Sequence, residues 1–168
     1  YGEVPELIEK KSAEEINNYL NAPKDDFNFV KYNLYEHDLA PVIEESLTMP
    51  FFSDKKVVLV QNAYLFTGEK PPKDLNHNID QLIEFIEKYD GDTLIIFEVY
   101  HSKLDERKKL VKTLKKNAQL KKIEQMSEEE IMQWMKKELH ENFKDIKQDA
   151  LDLFIELTGV NFNIVKQE

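Results

Sequence analysis

The chain contains no cysteine. Disulfides, thiolate zinc centres and cysteine nucleophiles are therefore excluded, and the composition fits a reducing cytoplasm. Glycine is almost as scarce, occurring only at Gly2, Gly68, Gly91 and Gly159. A phosphate-binding loop needs closely spaced glycines so that backbone N–H groups can reach the phosphates. No two of these are close, and Thr67-Gly68-Glu69-Lys70 sets a carboxylate where anions would sit. Arginine occurs once, as Arg107, among 23 basic residues. Lysine is a flexible point charge without the planar fork that reads phosphate, which disfavours a nucleic-acid reader, although an A+T-rich genome produces the same bias. No run approaches the roughly 18 apolar residues of a membrane helix. No secretory signal is evident, in a chain that does not begin with Met.

What is present is charge and apolar periodicity. The 168 residues are 41% hydrophobic and 33% charged, with a formal net charge of -10. That is enough for one full domain and a small second one. The acidic balance argues against general affinity for a nucleic-acid backbone.

The spacing predicts a first helix over Pro5–Leu20, with Leu7, Ile8, Ile16 and Leu20 on one face and Pro5 in the first turn. Residues 27–32 alternate like a strand. A second helix is expected over Leu39–Leu47, with Leu39, Val42, Ile43 and Leu47 inward. The run Val57-Val58-Leu59-Val60 reads as a strand buried on both sides. A loop follows at residues 70–73, then a helix over 74–89 and a turn at Asp90-Gly91-Asp92. Residues 93–97 read as another doubly buried strand. Ser102 and Asp105 suggest a short capping box for a helix over 103–117, and a last strand is expected over 119–124. This strand–helix alternation implies an α/β fold, a mostly parallel sheet with helices on both faces. After Ser127 only helices are expected. Ser127 and Glu130 form a capping box, Ile131, Trp134, Met135 and Leu139 make a stripe, a helix covers 147–157 with Gly159 at its C-terminal cap, and a third begins at Asn161. The expected domains are residues 1–125 and 126–168.

Little of this carries catalytic chemistry. His37, His77, His101 and His140 are far apart, without helical metal-ligand spacing, and read as surface or loop residues. The pairs Glu44-Glu45 and Glu128-Glu129-Glu130 read as solvated or helix-start charge. Ser53 and Ser102 lack a nucleophile-elbow context. No catalytic residue, cofactor or metal is expected. Residues 103–122 hold Lys103, Arg107, Lys108, Lys109, Lys112, Lys115, Lys116, Lys121 and Lys122. They read either as the wet side of a helix or as a face for DNA or an acidic partner.

Leu47-Thr48-Met49-Pro50-Phe51-Phe52-Ser53 stands apart, lying between a helix and a strand. Either Phe51 and Phe52 cover the bottom of the sheet, or at least one projects outward as a partner site.

The order of elements resembles the delta subunit of the bacterial DNA polymerase III clamp loader, over essentially the whole chain. Tyr1-Gly2-Glu3 resembles the end of that family's first strand. Residues 47–53 with Asp54-Lys55-Lys56-Val57-Val58-Leu59-Val60-Gln61-Asn62-Ala63 resemble its apolar tip and following strand. Residues 104–112 resemble its lysine-rich helix, and residues 150–154, 157–160 and 167–168 its lid helices. The resemblance implies an ATPase-like sheet (RecA/AAA+ type) that has lost its phosphate loop, a small all-α lid and a collar. It implies no intrinsic catalysis within the DNA polymerase III holoenzyme, a DNA-directed DNA polymerase. The tip would be Met49, Phe51 and Phe52, shaped by Leu47 and Pro50, seated in a pocket of the sliding clamp (beta subunit) and promoting its opening for loading onto primed DNA during replication. Other clamp-loader subunits would be partners and the location would be cytoplasmic, away from membrane, while contact of residues 103–122 with DNA stays one of the two readings above. The resemblance further implies that most of a central first strand and the collar lie outside this chain. Three readings compete. A nucleotide-binding or phosphotransfer enzyme on a similar sheet is disfavoured by the missing glycine-rich loop. A zinc-bearing sister subunit is disfavoured by the absence of cysteine. An unrelated interaction domain would not bind the clamp.

Overall fold

The computed structural model describes residues 1–49, 54–70, 72, 75–124, 127–159 and 164–165. The chain divides into two compact units, Tyr1–Ile123 and Glu124–Glu168.

The first unit is built on three parallel strands in spatial order β1-β2-β3: β1 (Phe29–Asn33), β2 (Val57–Gln61) and β3 (Leu94–Phe97). Four helices accompany them: α1 (Pro5–Leu20), α2 (Leu39–Leu47), α3 (Ile79–Lys88) and α4 (Lys109–Asn117). A 3-10 turn over Tyr64–Phe66 follows β2. β2 is central because its side chains are apolar on both faces. Val57 and Leu59 pack with Ile16 and Leu20 of α1. Val58 and Val60 join Val42 of α2, Leu82 of α3 and Leu110 and Val111 of α4. Each such buried side chain contributes about 1.5–3 kcal/mol of transfer free energy.

α1 and α2 occupy the spans expected from the apolar spacing. In α2, however, Ser46 takes the inward position and Leu47 turns outward. The Ser46 hydroxyl donates 2.7 Å to the Val42 carbonyl, so its burial leaves no polar group unpaired.

Three element starts also shift. β1 begins at Phe29, not Phe27. The Asp25 carboxylate accepts from the N–H groups of Phe27 and Asn28, both at 2.9 Å, and the Asn28 amide donates to the Pro23 carbonyl. That side-chain turn breaks the alternation and leaves Phe27 exposed. α3 begins at Ile79, where the Asn78 side chain accepts from Gln81 N–H at 3.1 Å, a cap that sets the start. α4 begins at Lys109. Asp105 uses its carboxylate on the Arg107 side chain and N–H rather than on a helix start, and its own N–H donates to the Phe66 carbonyl.

β3 is not doubly buried, because all four of its residues are half-exposed. A cavity of about 380 Å³ flanks it, walled by Leu94–Phe97, Leu114, Leu120 and Tyr1. Beyond it, the expected last strand is reduced to one parallel bridge between Gly2 and Ile123. Tyr1 and Gly2 are bonded on both sides. Tyr1 pairs with Lys121 and Ile123, and Gly2 N–H donates to the Val99 carbonyl. The Ile123 backbone lies so close that a Cβ on Gly2 would collide with its carbonyl oxygen.

The second unit contains α5 (Glu128–Glu141) and α6 (Gln148–Thr158). The capping box forms: Ser127 N–H donates to the Glu130 carboxylate at 2.7 Å, and the Ser127 hydroxyl accepts from Glu130 N–H. Ile131, Met135, Leu151, Ile155 and Val165 form its core, with Trp134 packed against them. Gly159, at φ +67°, ends α6. The expected third helix falls largely outside the described residues.

Candidate partner-binding site

Two regions of the first unit bring polar or exposed apolar side chains together. The first is the carboxyl end of the parallel strands, where α/β sheets commonly bind ligands. Here the chain's own side chains occupy it. The buried Glu98 carboxylate accepts from Gln61 Nε2 at 2.9 Å and from the Tyr100 hydroxyl at 2.7 Å. Tyr100 also reaches Glu9 at 3.3 Å. Burial, then the Glu98 and Glu9 carboxylates, holds the Tyr100 phenol well above its ordinary value. Among the described residues, no group of three His, Asp or Glu could hold a metal ion.

The second region is the end of α2. Leu47 is 63% exposed and Met49 is 84% exposed. These are two of the five expected tip residues, and they lie together at the helix terminus. Pro50, Phe51 and Phe52 lie outside the described residues. Beside this terminus a groove of about 710 Å³ runs toward the Tyr89–Thr93 turn, with Ile43, Leu47, Met49 and Phe85 in its walls. Asp54, Asp90 and Asp92 also line it, giving its apolar walls an acidic surround. Tyr89 holds the turn closed: its hydroxyl accepts from Thr93 N–H at 2.9 Å and donates to the Thr93 carbonyl at 3.0 Å. A Cβ on Gly91 would lie 2.7 Å from that hydroxyl, so only glycine fits there without moving the ring.

Sequence reasoning missed the group beneath this terminus. Lys56 is only 3% exposed. Its Nζ donates to the Glu45 carbonyl at 2.9 Å and the Thr48 carbonyl at 3.2 Å, and it is ion-paired with the Glu45 carboxylate. A lysine at an apolar strand's edge gives no sequence signal for burial, since its partners lie on another element. Glu98 and Tyr100 escaped notice for the same reason.

The remaining candidates separate. Of the four histidines, His77 is in a loop yet its side chain is only 2% exposed. Its Nε2 lies 2.6 Å from the Tyr64 hydroxyl, and burial lowers its pKa against the opposing pull of Asp38. The basic stretch is partly neutralised: Lys115 pairs with Glu106 and Lys121 with Glu15, while Lys108 donates to the Leu65 carbonyl. Lys109, Lys112 and Lys116 are exposed.

Fold and site thus define a parallel-sheet α/β protein with Gln61, Glu98 and Tyr100 bonded together at the carboxyl end of its strands and with Leu47 and Met49 exposed side by side at the end of α2. Residues 1–124 match the family described as DNA polymerase III, delta subunit, and the chain belongs to that family. The DNA polymerase III subunit delta of Bacillus subtilis (strain 168) is 27% identical over 168 residues, all of this chain and 48% of that protein. The solved Bacillus subtilis DNA clamp loader delta protein superposes with a TM-score of 0.68 at 27% identity. It covers 96% of this chain, which spans 49% of the solved one. The chain therefore corresponds to about half the length of these relatives.

Proposed function

We propose that this chain is the clamp-engaging part of a clamp-loader subunit. It works without catalysis of its own: Leu47, Met49, Pro50, Phe51 and Phe52 seat in an apolar pocket of the bacterial sliding clamp and favour the clamp's opening for loading onto primed DNA. The supporting observation is the exposure of Leu47 and Met49 at the end of α2, in a chain of the delta subunit family. A leucine or methionine side chain gains hydrophobic free energy only when it is removed from water, and here both face water, as at a partner site. On this reading the first unit is an ATPase-like sheet that has lost its phosphate loop. The cavity beside β3 is then the seat of a further central strand, and the second unit is a lid. The other loader subunits would be partners of the whole protein in the cytoplasm, and the exposed lysines of α4 would meet DNA.

Binding of the same organism's sliding clamp to immobilised chain tests this. Phe52→Ala is expected to weaken it at least about tenfold, equivalent to about 1.4 kcal/mol. An unchanged dissociation constant, with circular dichroism intact, removes the site. No binding by the parent chain removes the function.

A further inference from the structure

We infer that Lys56 is a positioning residue for the α2 terminus, fixing the direction in which the apolar tip leaves the fold. This rests on the clamp-binding reading above. Helix C-termini leave carbonyl groups without intrahelical partners, and a cation satisfies them while complementing the helix dipole. At α2 that cation is not on the helix. It comes from Lys56, the residue immediately before β2, whose Nζ spans the Glu45 and Thr48 carbonyls.

Three features distinguish this from an incidental surface contact. Lys56 is almost fully buried, and a buried ammonium is tolerated only when paired and hydrogen-bonded. The Glu45 carboxylate supplies the counter-charge from the same turn of α2. The two anchored ends are also the two ends of the segment that carries the tip: Thr48 leaves α2, and Lys56 enters the central strand. One side chain therefore ties the tip's base to the buried central strand of the sheet. Lys55 serves α1 in the same manner, donating 2.8 Å to the Tyr19 carbonyl with its ammonium 5.0 Å from the Tyr19 ring. The adjacent lysines thus divide their work between two helix ends, and only Lys56 faces the exposed apolar residues. An anchored base reduces the ordering cost of binding.

The test compares Lys56→Met, Met49→Ala and the double variant for sliding-clamp affinity, with thermal unfolding to correct for any unfolded fraction. Lys56→Met is expected to weaken binding about tenfold. Met49→Ala should cost less in the Lys56→Met background than in the parent, because residues acting through one another are not additive. Amide exchange gives a readout independent of the clamp: the Thr48 N–H, bonded to the Glu45 carbonyl at 3.3 Å, should lose protection. Parent-like affinity, additive losses, or unchanged Thr48 protection each overturns the assignment. If the parent and Phe52→Ala bind equally, the clamp-binding reading fails instead, whatever Lys56 does. Should Lys56→Met not fold, Lys56→Gln replaces it, with the same direction expected.

Discussion

At the scale of single residues, two local arrangements are testable. Arg107 grips Asp105 with its side-chain fork, Nε to Oδ1 and Nη2 to Oδ2, both at 2.9 Å. The guanidinium bond, helped by the Arg107 N–H, holds the Asp105 carboxyl down to about 2. A carboxyl depressed in the folded state stabilises it above the ordinary value of 3.8, and that contribution disappears as pH falls toward about 2. A carbon-detected titration should find Asp105 midway near 2 in the parent and clearly higher in Arg107→Gln, which keeps only the backbone N–H bond. An Asp105 midpoint unmoved by the substitution would assign the depression to another cause. In the second unit, Phe143 is fully exposed at φ 58°. It occupies the left-handed position after α5, where Phe143 N–H bonds to His140 and Lys144 N–H to Leu139, a closure that favours glycine. An aromatic residue pays strain there and gains no packing. Phe143→Gly should stabilise the second unit by about 1 kcal/mol, read in urea by fluorescence of Trp134, the chain's single tryptophan. A destabilised variant would mean the ring does bury surface.

At the scale of elements, apolar periodicity announced α1, α2 and β2 within a residue, because each buries one stripe or two faces of its own. The starts of α3 and α4 were not legible that way. Apolar residues such as Leu75 and Leu104 continue the helical spacing, yet Asn78 captures Gln81 N–H and Asp105 captures Arg107. Capture by a short polar side chain outcompetes periodicity when its target is two or three residues away. β3 illustrates the converse error. Its residues are as apolar as those of β2, but the cavity beside it leaves them half-exposed. Tyr1 and Gly2, hydrogen-bonded to both flanks, point the chain's entry into that cavity. A six-residue apolar extension ahead of Tyr1 should therefore fill it as a parallel strand. Amides of β3 not engaged with β2 should gain exchange protection, and the first unit should melt at higher temperature. Unchanged exchange at β3 would show that the cavity does not accept a strand.

At the scale of the whole molecule, the question is whether a small apolar tip is enough. Burying one phenylalanine is worth about 1.5–3 kcal/mol, so Phe51, Phe52 and Met49 together could supply roughly 4–8 kcal/mol before ordering costs, the scale of an interface hot spot. The tenfold loss expected for Phe52→Ala is modest against that sum, and a smaller loss would mean that the ring is not seated in a pocket. Opening of the clamp would require this surface to bind the opened ring more tightly than the closed one, since a ligand shifts an equilibrium only by its differential affinity. Of the five tip residues named from sequence, Leu47 and Met49 are found exposed, with Ser46 and not Leu47 on the inward face of α2.

The sequence by itself determined the succession of helices and strands about β2, the absence of cysteine chemistry, and the want of a glycine-rich phosphate cradle. These follow from residue type and short-range spacing, which every neighbour along the chain can read. Tertiary structure alone decided that Lys56 is buried, that Glu98 is buried against Gln61 and Tyr100, that β3 borders a cavity, and that Leu47 faces water. Each depends on groups brought together from afar, as when Gln61 meets Glu98 across 37 positions of chain. The free energy of a buried charge or an open strand edge is set by those distant partners, and no local pattern encodes them.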